Sequence, residues 1–470
     1  MPKLPEPWKA KVVEPIVLPD REDRERHLRD SGYNLFAVPS EAVFIDLLTD
    51  SGTCAQSQAQ WAGLVTGDES YAGARSFYRF EKVVQEVFGM PHVLPVHQGR
   101  AGERLVFAEL VEPGMLVPGN HHFDTTRANV ELRGARAVDV AIDAAHHPTV
   151  EHPFKGNADP KRLEEILAAA EPGEVPMVVM TVTNNSVGGQ PVSLANLREV
   201  GGICRRHGVP LWIDASRFAE NAWFLREREP GQGNRDLADI ARDLFTEAEG
   251  VIMSAKKDGL VNMGGFVATR NAEVAERLKQ RMVVTEGFPT YGGLTGRDLE
   301  ALAVGLREVL DERYLEARIH QVEELGETLH RQGIPMVRPV GGHAVYIDAA
   351  AMLPHVPREC LPGQTLVVEL YRQGGIRAVE IGTVMFGDVD SDTGEVTPAP
   401  LDLVRLAVPR RVYSDSHLRY VAEVVVQIRD TQEHLTGLTM THVPPVLRHF
   451  TCRFAEVEVN VPAYPRVAVG

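Results

Sequence analysis

The chain reads as an α/β protein in which a large domain, built on a mixed and mostly parallel sheet, accompanies a smaller α+β domain. Three observations predict this. Between residues 76 and 310, short apolar runs alternate with longer amphipathic ones, as in βαβ units whose strands are buried on both faces. The runs 175–183 (VPMVVMTVT) and 209–214 (VPLWID) enclose a stretch, 191–207, with helical spacing, which together make one such unit. After residue 311 the alternation gives way to mixed helices and strands, with a polar, turn-rich segment at 387–400 (GDVDSDTGEVTPAP).

Two further strands are expected at 250–254 (GVIMS) and 265–269 (GFVAT), separated by a pair of lysines and a glycine-rich turn. The first twenty residues interleave prolines with apolar residues, which suits an arm packing on another subunit. The expected organisation is an arm at 1–20, part of the small domain at 21–55, the large domain at 56–310 and the rest of the small domain at 311–470.

A chain of 470 residues with 44% hydrophobic content exceeds one ordinary core of about 100 to 200 residues, so at least two packed units are expected. Lys and Arg number 49 against 65 Asp and Glu, a formal charge of −16 with no basic run, which argues against nucleic acid as a partner. Cys54, Cys204, Cys360 and Cys452 form no CxxC pair, so the expectation is a reducing cytoplasm without a disulfide framework or zinc site. No apolar run approaches the roughly 18 residues of a membrane span, and the N-terminus has no signal-peptide core.

The chemistry gathers at strand ends. Asn185, Asp214 and Lys257 each lie at or just beyond an apolar run, where open α/β sheets bind ligands. In SAKKDGLVNMGG (254–265) a lysine follows a buried strand, and there it can leave solvent and form a Schiff base. Asp214 in WIDASRF supplies a carboxylate that would keep a pyridine nitrogen protonated, with Arg217 three residues on. Asp214 reads equally as a helix N-cap. HQGRAGE (97–103) precedes a helical run, so its backbone N–H groups and Arg100 can receive a phosphate; a plain strand-to-helix turn is the alternative.

These segments, with LLTDSGT, GDESYAG, GGQPVS, EGFPTYGGL, GGHAV and VLRHFT, resemble the β-eliminating lyases over nearly the entire chain. The resemblance implies a pyridoxal-phosphate-dependent enzyme of the aspartate aminotransferase fold, type I, acting on a small-molecule amino-acid substrate as a homotetramer. It implies that Lys257 bonds the cofactor, Asp214 pairs with its ring nitrogen, Arg217 approaches the ring oxygen and Phe123 stacks on the ring, although core packing also explains Phe123. Gln98, Gly99, Arg100 and Ser254 would hold the phosphate. Arg405, with Thr49, Ser51 and Asn185, would take the substrate carboxylate, because a guanidinium fork matches a carboxylate. Glu69 and the carbonyls of Gly52 and Asn262 would bind a monovalent cation such as potassium.

The family splits tryptophan to indole, pyruvate and ammonia, or tyrosine to phenol, pyruvate and ammonia. An indolyl carbanion is too basic to depart, so indole carbon 3 must first be protonated. Tyr71 in GDESYAG resembles the family's acid, and Asp124 in HHFDTT stands where tryptophan-cleaving members carry aspartate. Ile381 replaces an arginine that tyrosine-cleaving members use, and would leave a phenol hydroxyl unpaired at about 1 to 3 kcal/mol. His449 in VLRHFT follows the tryptophan pattern too. Tryptophan is therefore the expected substrate and tyrosine the alternative. Against that, WAGLVTGDESYAG and LTGRDLEALAVGLREVL are worded more like the tyrosine branch, and Ala101–Gly102 and His121–His122 depart from the usual pattern.

Overall fold

The computed structural model describes residues 5–390 and 395–457. The described residues divide into two compact units, one drawn from the ranges 1–15, 47–347 and 405–422, the other from 16–46, 348–404 and 423–470.

The first unit is organised by a seven-stranded sheet. Its strands are β1 (His92–Val96), β2 (Leu116–Gly119), β3 (Arg136–Asp139), β4 (Val178–Thr181), β5 (Leu211–Asp214), β6 (Gly250–Ser254) and β7 (Gly265–Thr269). Their order is β1-β7-β6-β5-β4-β2-β3. The pairings are parallel except those of β7 with β6 and β1. Only a short turn links β6 to β7, too short for the crossover that a parallel neighbour needs, so β7 runs back antiparallel.

Both faces of the sheet are covered, which explains its unbroken apolar strands. On β6, Val251 and Met253 pack into one core cluster while Ile252 packs into the other. On β5, Leu211 and Ile213 likewise face one side and Trp212 the other. Each such side chain contributes about 1.5–3 kcal/mol when fully buried. The helices that matter for the site are α1 (Gly99–Leu110), α2 (Asp124–Glu131), α3 (Leu194–His207), α4 (Phe218–Arg228) and α5 (Glu312–Arg331).

The expected strands at 250–254 and 265–269 appear at those residues. Helix α3 starts later than residue 191 because Ser193 caps it, its side chain accepting from the Asn196 N–H. The change of pattern at residue 311 does not coincide with a unit boundary. Helix α5 packs on α4, and Arg318 pairs with Glu220, so the first unit continues through residue 347. Residues 47–55 also join this unit, because Ala407 N–H donates to Leu47 O at 3.0 Å and Ala55 N–H to Arg410 O at 3.1 Å.

The second unit holds a parallel pair, Ile45–Asp46 with Ile376–Arg377, and two antiparallel pairs, Asp388–Val389 with Val396–Thr397 and Leu438–His442 with Arg453–Glu456. Its helix Pro362–Gly374 buries Leu366, Leu370 and Tyr371. Of the turn-rich segment 387–400, residues 391–394 lie outside the described residues, as do 1–4 of the arm and 458–470 of the C-terminal segment. In the rest of the arm, Val12, Val13 and Val17 are exposed. Among the described residues no helix is long and apolar enough to cross a membrane.

Candidate active site

The carboxyl ends of β5 and β6 deliver the central residues. Asp214 ends β5, and its Oδ1 accepts from the Ser216 N–H at 3.0 Å and the Ser216 hydroxyl at 2.6 Å. Ser254 ends β6, and its N–H donates to the Ser216 hydroxyl at 3.1 Å, tying the two strand ends together. Lys257 follows in the turn and is mostly buried. Burial first, then the Arg217 cation, push its ammonium down to about 8, against the opposing pull of Asp214, Asp50 and Glu103. A lysine of this kind presents a neutral, nucleophilic amine much nearer neutrality than an exposed one, whose pKa is about 10.4.

Beside Ser254 stands the N-terminus of α1. Gln98 is its N-cap residue but makes no side-chain cap bond, so the end of the helix is open to an acceptor from outside. A Cβ at Gly99 would come within 2.5 Å of the Ser254 Cβ, so only glycine lets this turn approach the strand. Arg100 is exposed at the same turn. Phe123 is the N-cap of α2, which starts with buried Asp124; Asp124 accepts from the Thr125 N–H at 2.6 Å. Glu103 on α1 accepts from the Thr126 hydroxyl of α2 at 2.6 Å, and burial, followed by the Asp214 carboxylate, pushes it up to about 7.

A second group forms around Asn185. Its Oδ1 accepts from Arg405 Nη1 at 3.2 Å and from the Tyr346 hydroxyl at 2.6 Å, with His343 Nε2 at 2.8 Å. Arg405 Nη2 donates to Leu48 O at 3.1 Å, while its Nε is buried with no hydrogen-bond partner. Among the described residues no carboxylate pairs with Arg405. Burial first, and the cations of Arg217 and Arg405, hold His343 well below the usual imidazole range, so it is neutral here. Thr49 and Ser51 stand in the adjoining segment, where the Ser51 N–H donates to the Thr49 hydroxyl at 3.1 Å.

Arg217 proves to be engaged by a partner that was not anticipated. Its Nε and Nη2 donate to the Asp50 carboxylate at 3.0 and 2.7 Å. Asp50 also accepts from Arg410 Nη1 at 2.8 Å, and Arg410 Nη2 reaches Glu220 at 2.7 Å and Asp258 at 2.8 Å. Asp258 Oδ2 in turn accepts the Ala219 N–H at 2.8 Å, near the start of α4. Although burial opposes its ionisation, the Arg217 cation first and then Arg410 hold Asp50 well below the usual carboxylate range.

Other expected residues lie elsewhere. Tyr71 is 72% exposed, stacked near Tyr291 and Phe288 with ring centroids at 5.2 and 6.0 Å. Glu69 is exposed and pairs with Arg297 at 2.6 Å. Gly52 (φ +77°) and Asn262 do meet: Asn262 Nδ2 donates to Gly52 O at 3.0 Å. Ile381 and His449 belong to the second unit, where both are buried, His449 stacking with Phe450 at 4.1 Å. Sequence reasoning passed over Asp50, Glu103, Glu220, Asp258, His343 and Arg410. Asp50 and His343 lay inside quoted segments, LLTDSGT and GGHAV, but nothing in a linear string says which carboxylate meets which guanidinium.

The arrangement fits pyridoxal phosphate: a depressed lysine amine beside a strand-end aspartate, an uncapped helix terminus cradled against Ser254, and a buried arginine nitrogen awaiting an acceptor. Comparison with solved structures gives the class. The fold is similar to serine palmitoyltransferase of Sphingomonas wittichii, with a TM-score of 0.59 at 14% identity over 87% of this chain and 96% of that one. It is likewise similar to a serine palmitoyltransferase variant of S. paucimobilis, with a TM-score of 0.56 at 12% identity over 82% and 87%. This is the fold of type I pyridoxal-phosphate-dependent enzymes.

The family model described as "Beta-eliminating lyase" matches residues 46–424, and the chain belongs to that family. It is 54% identical to a tryptophanase of Salinibacter ruber over 96% of this chain and 95% of the relative. It is 51% identical to a tryptophanase of Hyphomonas neptunium over 97% and 99%, and 48% identical to a tyrosine phenol-lyase of Symbiobacterium thermophilum over 96% and 98%. The chain is thus a lyase, and fold and family together support pyridoxal phosphate as its cofactor.

Proposed function

We propose that this lyase removes the side chain of L-tryptophan, releasing indole, pyruvate and ammonia. The observation that carries an amino-acid substrate is Arg405: a buried guanidinium, oriented by Asn185, that among the described residues pairs with no carboxylate and has an unpartnered Nε. A substrate carboxylate supplies what that nitrogen lacks. The choice of tryptophan rests on buried Asp124, Ile381 and His449.

Pyridoxal phosphate held at Lys257 supplies an electron sink for the carbanion that forms when the α-proton leaves. The Nζ of Lys257, in the neutral form that its lowered pKa of about 8 makes more accessible, takes that proton. Asp214, held by Ser216, keeps the ring nitrogen protonated. Gln98, Gly99, Arg100 and Ser254 bind the phosphate, Phe123 covers the ring, and Arg217 serves the ring oxygen. Arg405, Asn185, Thr49 and Ser51 bind the substrate carboxylate. Asp124 accepts the indole N–H, and Tyr71 delivers a proton to indole carbon 3.

The same reading includes a homotetramer, in which another copy covers exposed Tyr71 and Glu69, and a potassium ion held by oxygens of Glu69, Gly52 and Asn262. It includes the cytoplasm, which suits four unbridged cysteines. The test is pyruvate release by cofactor-loaded protein from tryptophan and from tyrosine as single substrates. Faster release from tryptophan, with equimolar indole, is the expected result; faster release from tyrosine overturns it in favour of phenol formation, the activity named for the 48% identical relative.

A further inference from the structure

Asp50 sits between Thr49 and Ser51, and its side chain is wholly buried. The bidentate pair with Asp50 occupies Nε and Nη2 of Arg217, leaving Nη1 as the nitrogen that can serve a ligand. The segment that carries Asp50 is also bound to both chain neighbours of Lys257. The Gly52 N–H donates to Lys256 O at 2.7 Å, and Arg410, which donates to Asp50 at 2.8 Å, donates to Asp258 at 2.8 Å. The charges balance locally: Asp50, Glu220 and Asp258 face Arg217, Arg318 and Arg410. Turning Asp50 away from Arg217 would strand a buried guanidinium, so the carboxylate and both arginines move together or not at all.

We propose that Asp50 is a positioning residue that couples the substrate-carboxylate segment to the cofactor end of the site, by fixing Arg217 directly and the Lys257 turn through Arg410. The inference rests on the reading above that Lys257 holds pyridoxal phosphate and that Thr49 and Ser51 meet the carboxylate. On this proposal, a carboxylate bound at Thr49 and Ser51 is felt as a small displacement of the 49–51 backbone. Because Asp50 is clamped by two guanidiniums, that displacement reaches Arg217 and the lysine turn rather than dissipating in a flexible side chain.

The test uses full-length, cofactor-loaded protein carrying Asp50→Asn or Asp50→Glu. Two properties are read from the visible band of the Lys257–cofactor complex: its pH midpoint, and its response to L-alanine, an amino acid with no leaving group. The groups facing Asp50 are Arg217, Arg410 and neutral His343, with Lys257, Glu220 and Asp258 beyond them. Loss of the anion in Asp50→Asn disfavours the protonated Lys257 nitrogen, so the midpoint should fall by roughly one unit. L-Alanine should bind about tenfold more weakly, a coupling of ordinary size. Asp50→Glu keeps the charge but lengthens the arm; it should restore the midpoint more fully than the affinity. Unchanged midpoint and affinity in a folded Asp50→Asn overturn the coupling. If that variant does not fold, unchanged affinity in Asp50→Glu overturns it instead. A wild-type protein that forms no visible band overturns the cofactor reading and the coupling together, whereas a normal wild-type band with indistinguishable variants overturns the coupling alone.

Discussion

Two buried arginines of the first unit keep opposite company. Arg410, wholly buried, donates to Asp50, Glu220 and Asp258. Arg405, buried almost as deeply, meets neutral oxygens of Asn185, Leu48 and Tyr346 and, among the described residues, pairs with no carboxylate. The physical cost of burying a charge is similar for both, yet only Arg410 has it offset within the chain. A buried cation neutralised by carboxylates is framework, even though its Nε, like that of Arg405, has no hydrogen-bond partner. An underpaired one destabilises the empty protein and gains when an anion arrives. Lys257 falls in the second class: it forms no ion pair among the described residues, and burial pushes its ammonium down to about 8.

The comparison breaks most visibly at Lys257. Lys257→Ala should abolish pyruvate release and the covalent mass adduct seen after borohydride reduction of the loaded protein, yet leave the melting temperature of the cofactor-free protein unchanged or raised. Turnover near the wild-type level would place Lys257 outside the chemistry. Arg410→Met should do the reverse to stability: removing one member of a buried charge network costs about 3–5 kcal/mol, readable as a lower midpoint in urea. A midpoint within error of the wild type would mean that the network is not framework.

Arg405→Met sharpens the contrast, because here stability should hold while the KM for the amino acid rises by about 10- to 100-fold, the equivalent of a charge-assisted bond of 1.5–3 kcal/mol. A smaller, more selective effect is expected at Asp124→Thr, which should slow tryptophan cleavage more than S-alkylcysteine cleavage, since a thiolate departs without indole chemistry. Equal losses on both substrates would remove Asp124 from the indole N–H. Finally, cofactor capture needs the neutral amine of Lys257, so its rate should rise as pH increases through about 8 and level off above. A rise centred near 10 would indicate a solvated lysine.

Much of the fold was legible because a strand buried on both faces shows as a continuous apolar run. β6 and β7 were placed to the residue, and α3 differed only by its proline-containing start. The strand-end positions of Asp214, Ser254 and Lys257 followed from the same runs. The unit boundaries were not legible, because α5 joins the first unit through Arg318 and Glu220, a pairing 98 residues apart in the chain.

The amino-acid string by itself determined the sheet, the lysine and aspartate at its strand ends, and the family segments, because hydrophobic period and local motif are properties of neighbours in sequence. Tertiary structure alone decided that Asp50 rather than a ligand takes two nitrogens of Arg217, that Arg405 is left short of an acceptor, and that the Lys257 amine is depressed. These depend on which distant charges share one desolvated volume, where Coulomb energies and hydration costs are both large, and a linear sequence does not encode that volume position by position.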